Sequence, residues 1–395
     1  MNLINNIETQ NLWLEEMDGD FGTFRTQVTA ETNPRSVPLA SQIEKQIPIY
    51  SGEAVRAASD QPSHRNALLT EWTKVFLSGA GIIVIRNGIE NAAIVDRASE
   101  IFSQIIESEK TDTLGGGDHF AQAGANDRIW NALEKHCLID SHNFTEYYAS
   151  DAIAMGAEAW LGRGYQVTAQ VNCVKPNGKA QKPHRDYHLG FMEPAQTLDY
   201  PTHVHAMSPF LTLQGAVAHC DMPLESGPTK LLPFSQKFLE GYLVFEQEQY
   251  RDYFEANHIQ LTLEKGDVLF FNPAVMHAAG DNVSADIYRM ANLLQISSAF
   301  GRAMETVNRS KMSKAIFSVL KDFSNRKTLT NRQLNNAIHA CAEGYSFPTN
   351  LDLDPPIGGL APKSQSQIMK EALEQNLSTA QFTEMLDQLH ARQQS

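Results

Sequence analysis

Cysteine is scarce and unpaired. The 395 residues hold four, Cys137, Cys173, Cys220 and Cys341, and none falls at CxxC spacing. This excludes a disulfide scaffold, a zinc knuckle and a thioredoxin-like redox site, and it fits a reducing compartment. Positive charge is also in short supply: 32 Lys and Arg stand against 46 Asp and Glu, a formal net charge of −14. Such a balance argues against a general nucleic-acid binder or a protein drawn to anionic membranes, but leaves room for a local basic pocket. No apolar run approaches the roughly 20 residues that cross a bilayer. Residues 1–8 lack the basic flank and apolar stretch of a secretion signal. The expectation is a cytoplasmic protein with neither nucleic acid nor membrane as partner. With 42% hydrophobic and 20% charged residues, the chain is also neither disordered nor fibrous.

The order of patterns predicts three regions. Residues 1–62 are polar, without period, and carry Pro34, Pro38, Pro48 and Pro62; they predict an irregular arm. Residues 63–302 predict one catalytic domain, beginning with a helical layer over 65–78 and 91–110 around a buried strand Ile82-Ile83-Val84-Ile85. A stretch at 111–128 containing Gly115-Gly116-Gly117 breaks the pattern, and helical sequence resumes over 130–160. From about Gly162 to 300 the chain changes to short apolar runs separated by turns such as Pro176-Asn177-Gly178, Ser226-Gly227-Pro228 and Lys265-Gly266-Asp267. Many short strands with such turns predict a sandwich or barrel. Residues 303–395 predict a helical extension over 303–323, 330–343 and 365–392, a candidate homodimer contact. The fold class expected is mainly β with flanking α.

Thirteen histidines give several chances for metal-like spacing, and some His-x-Asp pairs follow from composition alone. Two occur: His184-Arg185-Asp186 and His219-Cys220-Asp221. Residues i and i+2 of a strand share a face, so either pair could present an imidazole and a carboxylate to one ion. His277 follows a Gly-Asp turn and the apolar run Val268-Leu269-Phe270-Phe271. Two histidines and one carboxylate on one face of an octahedron leave three positions open, the set used by non-haem iron(II) oxygenases. Arg289 lies in the apolar run 287–297, where a guanidinium is costly unless an anion meets it.

Five stretches in this order resemble the phytanoyl-CoA dioxygenase family of iron(II)- and 2-oxoglutarate-dependent oxygenases. They are Gln-Val-Asn-Cys-Val-Lys-Pro-Asn-Gly at 170–178, Pro-His-Arg-Asp-Tyr-His at 183–188, Glu-Ser-Gly-Pro-Thr-Lys-Leu-Leu-Pro-Phe-Ser at 225–235, Lys-Gly-Asp-Val-Leu-Phe-Phe at 265–271, and the pair His277 and Arg289. The resemblance spans about 165–300 and is weaker around 79–87. It implies a double-stranded β-helix, a jelly-roll core packed against N- and C-terminal helices. It also selects His184 and Asp186 over His219 and Asp221, because the Ser-Gly-Pro stretch follows the family's metal pair by some forty residues. His219 then belongs to the core, and Asp221 to a turn.

By the same resemblance, His184, Asp186 and His277 would bind iron(II). Arg289 would hold the distal carboxylate of 2-oxoglutarate, helped by Gln170 or Asn172. O2 would be the oxidant. The activity implied is hydroxylation of an aliphatic carbon of a small molecule, with release of succinate and CO2. Asp186 favours hydroxylation over halogenation, since a halide would need its position. The family often has Ser or Thr two residues after the distal His; here it is Ala279. His119, Arg128 and Trp130 are candidate substrate contacts in a stretch expected to border the pocket. His188 would join them if the strand carrying His184 and Asp186 continues. Two other readings remain open at this stage. A cupin-like metalloenzyme that does not use 2-oxoglutarate, such as an isomerase or other dioxygenase, would need no buried Arg289. A non-catalytic small-molecule-binding relative would be marked by loss of a ligand.

Overall fold

A computed structural model of the chain describes residues 12–111 and 126–394. Among these, ten strands follow in chain order: β1 Gln42–Glu44, β2 Ile47–Ser51, β3 Ile82–Arg86, β4 Asn126–Ile129, β5 Gln166–Val174, β6 Thr212–Ala218, β7 Lys230–Leu231, β8 Val268–Phe271, β9 His277–Ala278 and β10 Arg289–Ser297. Eight form one mixed sheet in the order β1-β2-β3-β8-β6-β10-β5-β4, and β7 pairs with β9 in a second sheet. Only β2 and β3 run parallel in the large sheet. Single bridges from His184 to His277, Leu231 to Ile259 and Met222 to Leu263 extend the small sheet. The two layers close on a shared apolar cluster. It joins Ile82, Val84, Leu269 and Phe271 of the large sheet to Leu231, Leu261 and Leu263 of the small one. This is the jelly-roll core.

Strand alternation decides which residues see the site. On β5, Val167, Ala169, Val171 and Cys173 face a helical layer, as do Leu213 and Val217 of β6 and Leu294 and Ile296 of β10. The residues between them face the other way, into the barrel. Phe270 wedges the helix Asp151–Leu161 against the sheet. A Cβ at Gly156 would stand 2.4 Å, and one at Gly215 2.6 Å, from its ring, so both positions must lack a side chain for this contact.

The C-terminal helices Arg309–Arg326, Asn331–Cys341, Gln365–Glu374 and Thr379–Gln393 join that same layer. Ile316, Leu320, Ile338, Met369 and Phe382 belong to one cluster with Ile101 and Val171, and Phe317 stacks on Phe382 with ring centroids 4.0 Å apart. Each large side chain so buried contributes roughly 1.5–3 kcal/mol. Thr330 with Gln333, Ser364 with Gln367 and Ser378 with Gln381 form capping boxes that start three of these helices.

The arm differs from expectation. Residues 12–62 are not irregular: they hold the helices Phe21–Val28 and Gly52–Ser59 and the strands β1 and β2. Ile47, Ile49 and Tyr50 are buried. Pro48 hid the strand, because proline lacks the amide that a ladder uses. It is tolerated here because Ile49, one residue later, is where pairing with β3 begins. No helix among the described residues is long and apolar enough to cross a membrane.

Candidate metal centre

The chain enters the small sheet at 184 and leaves it two residues later. His184 and His277 exchange backbone hydrogen bonds of 2.9 and 3.0 Å, and Asp186 N–H donates to Pro273 O at 3.2 Å. This places the two imidazoles side by side, with ring centroids 4.4 Å apart, and turns Asp186 toward both. Arg185, between them, points the opposite way. It is fully buried; Nη1 donates to Phe238 O at 3.0 Å and Nη2 to Ser235 O, and the guanidinium stacks on Tyr242. The alternation inferred from the sequence therefore holds, and Arg185 anchors the loop that carries both candidate ligands.

One donor atom from each of His184, Asp186 and His277 lies within 4.8 Å of the others. The Asp186 Oδ1 atom is 3.7 Å from His184 Nε2, and Oδ2 is 3.4 Å from His277 Nε2. Each imidazole spends its Nδ1–H on a backbone carbonyl, that of Lys182 at 2.8 Å and that of Val275 at 2.9 Å. Those hydrogen bonds set the tautomer and leave Nε2 as a lone pair. Two lone pairs then face a carboxylate, acceptors meeting acceptors, which is the arrangement a cation resolves. Ligands on one face of an octahedral ion stand roughly 3 Å apart, so only small rotations separate this geometry from a bound iron. Burial pushes the Asp186 carboxyl up, but the attraction of His184 and His277 in their protonated forms and a hydrogen bond from Gln214 outweigh it and hold it well below the usual carboxylate range. Burial, chiefly, lowers His184, favouring the neutral form that binds metal. The donor set fits iron(II).

The triad opens on a cavity of about 630 Å³. Its floor follows the register of the large sheet. Asn172 of β5 pairs with Ala291 of β10, which pairs with Ala218 of β6; the next inward-facing set is Gln170, Leu293 and Ala216, and after it Thr168, Gln295 and Gln214. All of these but Thr168 line the cavity, together with Arg289. Arg289 is 7% exposed. Its Nη1 donates to Ser226 O at 3.0 Å and to Gly280 O at 3.4 Å, and among the described residues no carboxylate comes within ion-pair distance. Burial pushes its pKa down to about 10, so it is still a cation at neutral pH. The Ser-Gly-Pro turn is shaped for this contact. Gly227 has φ +71°, and a Cβ there would stand 2.3 Å from Asp281 O, so only glycine lets the turn close on 280–281.

Of the two amides expected beside the cosubstrate, Gln170 is engaged. Its Oε1 accepts from Arg128 Nη1 at 2.9 Å, and its Nε2 faces Met304 Sδ at 3.5 Å. Asn172 is buried with its Oδ1 unpartnered among the described residues, so it is the amide with capacity left for a ligand. Ala279 lines the cavity and offers no hydroxyl, but Thr229 lines it too, next to Lys230, which pairs with Ala278.

Arg128 and Trp130 line the same cavity. Arg128 sits on β4, paired with Asn172, and stacks on Trp130 at 5.1 Å. A strand was not expected there; it is four residues long and lies at the sheet edge, too short for a period to show. His119 lies outside the described residues. His188 is corrected: the chain does not continue as a strand after Asp186. Tyr187 and His188 take φ values of +68° and +49°, the backbone turns away, and His188 does not line the cavity. The Tyr187 hydroxyl donates to Gln295 Oε1, which holds that turn.

His219 faces the helical layer, with Ser99 Oγ 2.8 Å from Nδ1 and Tyr147 Oη 2.9 Å from Nε2. Asp221 accepts from the Lys265 amide in a turn. Sequence reasoning missed Gln214, whose Nε2 donates to Asp186 Oδ2. A polar residue two positions from Ala216 in an apolar strand was the available signal.

No curated protein matches the chain. Among solved structures, the α-ketoglutarate-dependent carbocyclase SnoK of nogalamycin biosynthesis is similar at 18% identity and a TM-score of 0.44, over 63% of this chain and 92% of that one. The epimerase SnoN of the same biosynthesis is similar at 17% identity and 0.41, over 59% and 84%. HygX from Streptomyces hygroscopicus, with nickel and 2-oxoglutarate bound, is similar at 13% and 0.41, over 60% and 90%. The family model described as phytanoyl-CoA dioxygenase matches residues 78–291, a span that takes in the triad, the Ser-Gly-Pro turn and Arg289. The chain belongs to the phytanoyl-CoA dioxygenase family of iron(II)- and 2-oxoglutarate-dependent oxygenases.

Proposed function

We propose that this oxygenase hydroxylates an aliphatic carbon of a small molecule, consuming O2 and 2-oxoglutarate and releasing succinate and CO2. His184, Asp186 and His277 hold the iron, and Arg289 holds the distal carboxylate of 2-oxoglutarate. One observation carries this reading. A single cavity contains a set of acceptors that calls for a cation and a buried guanidinium that meets no carboxylate among the described residues, with small Ala216, Ala218 and Ala291 on its floor.

Bound iron with its cosubstrate supplies the oxidation of the C–H bond. The chain's own residues do the rest. Arg289 receives a carboxylate through its planar fork, and its fixed hydrogen bond to Ser226 O leaves it little room to turn. The alanines leave space for an extended diacid between Arg289 and the triad. Asn172 and Thr229 offer polar contacts along it. Arg128, Trp130 and Phe191 border the cavity and are the surfaces a substrate would meet; closing them over it excludes water.

Anaerobic addition of iron(II) and 2-oxoglutarate should produce a visible charge-transfer band that His277→Ala abolishes. A succinate-coupled metabolite screen under isotopically heavy O2 should yield a product carrying one heavy oxygen atom. A band that survives His277→Ala would overturn the ligand assignment. Succinate formed with a converted product that carries no heavy oxygen would overturn hydroxylation while leaving the family activity intact.

A further inference from the structure

The two oxygens of Asp186 stand in nearly equivalent places. Oδ1 faces His184 Nε2 at 3.7 Å and Oδ2 faces His277 Nε2 at 3.4 Å. Nothing in those two contacts decides whether the carboxylate meets an ion through one oxygen or both. A carboxylate is able to do either. The difference matters for an oxygenase, because three protein ligands leave three positions open, and a second Asp186 oxygen would take one of them. One contact breaks the equivalence: Gln214 Nε2 donates to Oδ2 alone.

Gln214 is placed to make that contact firmly. It lies on the central strand β6, opposite Phe271 on β8 and Gln295 on β10, is 3% exposed, and lines the cavity. The carboxylate also sets the amide's orientation, since rotation by half a turn would set Oε1 against it. Oε1 is left buried without a partner among the described residues, in a cavity wall where a water on the ion could donate to it. A buried acceptor without a partner carries a penalty of about 1–3 kcal/mol. Its retention in the sheet is therefore unexplained by packing alone.

We propose that Gln214 is a positioning residue that keeps Asp186 a one-oxygen ligand and so keeps a third coordination position open. This rests on the iron-binding reading above. The hydrogen bond withdraws Oδ2 from the ion and leaves Oδ1 to bind. Without it, Oδ2 is free to turn in, and the ion loses one exchangeable position.

Mn(II) is the probe, used on the full chain without 2-oxoglutarate or O2. Water-proton relaxation counts the exchangeable waters on the bound ion. Wild type should hold about three. Gln214→Met, of similar length and apolar, should hold about two, while still binding Mn(II). Gln214→Ala serves as a second variant should Met overpack. His277→Ala reports on the parent reading: if it binds Mn(II) as tightly as wild type, the ion is elsewhere and the ligand assignment itself fails. If wild type binds at the triad and both folded Gln214 variants keep its water count, Gln214 does not control the coordination of Asp186, and this inference alone is wrong.

Discussion

Replacing Arg289 separates a binding role from a structural one, because the structure assigns the two opposite signs. Burial lowers the Arg289 pKa from 12.5 to about 10. At 1.36 kcal/mol per unit, the buried cation costs the cosubstrate-free protein about 3 kcal/mol. The hydrogen bonds to Ser226 O and Gly280 O offset part of this. Arg289→Met removes the charge and fills similar space, so the cosubstrate-free protein should unfold at an unchanged or higher temperature. Binding should move the other way. Truncating one partner of a buried, hydrogen-bonded charge pair costs roughly 2–5 kcal/mol, which is about 30-fold to several thousand-fold in the 2-oxoglutarate Kd. Arg289→Lys keeps the charge but loses one arm of the fork, roughly 1.5–3 kcal/mol, or about 10- to 150-fold. The assay is thermal unfolding with bound Ni(II), with and without 2-oxoglutarate at about 100 times the wild-type Kd. Ligand at that level stabilises the wild type by about 2.7 kcal/mol, and a variant weakened about 100-fold by only about 0.4 kcal/mol. An Arg289→Met protein that loses stability without ligand yet keeps the full wild-type response to 2-oxoglutarate would refute the reasoning.

Acid should destabilise the fold through two histidines outside the site. Burial lowers His136 to about 4 and His219 to about 3, whereas the unfolded chain takes up protons below about 6.5. The unfolded state therefore binds more protons, so stability falls as pH drops through 6.5 and keeps falling toward the folded values. By about pH 5 the loss is roughly 2 kcal/mol for each. Urea unfolding at about pH 7.5 and pH 5 should show it, and His219→Gln should remove about half; an equal loss in that variant would clear His219. Gly241→Ala should damage the triad from a distance. A Cβ there would fall 1.8 Å from Arg185 Cζ, driving a buried cation off the Ser235 and Phe238 carbonyls at a cost of roughly 3–5 kcal/mol. Thermal unfolding and metal affinity should both drop; unchanged metal affinity would show that Arg185 does not hold the His184–Asp186 loop.

What the sequence determined by itself is local. His184 and Asp186 were legible as a pair because alternation in an extended chain needs no knowledge of the fold, and Arg185 does point away from them. Arg289 was legible because a cation within an apolar run is costly wherever that run lies. The strands β5, β6, β8 and β10 showed their apolar content, and the C-terminal extension its helical character. The tertiary structure decided what depends on partners distant in sequence. His219-x-Asp221 has the same spacing as His184-x-Asp186, yet His219 faces Ser99 and Tyr147 in the helical layer, because its place in the sheet puts that face outward from the barrel. Gln170 and Asn172 share a strand face, and only Arg128, reached through the pairing of β4 with β5, takes up one and leaves the other. Pro48 hid β2, and the turn at Tyr187 removed His188 from the cavity, a turn held by Gln295 more than a hundred residues away. Period and composition report which way a side chain points relative to its neighbours in the chain. Which surface it then meets is set by long-range pairing, and that is where the site was completed.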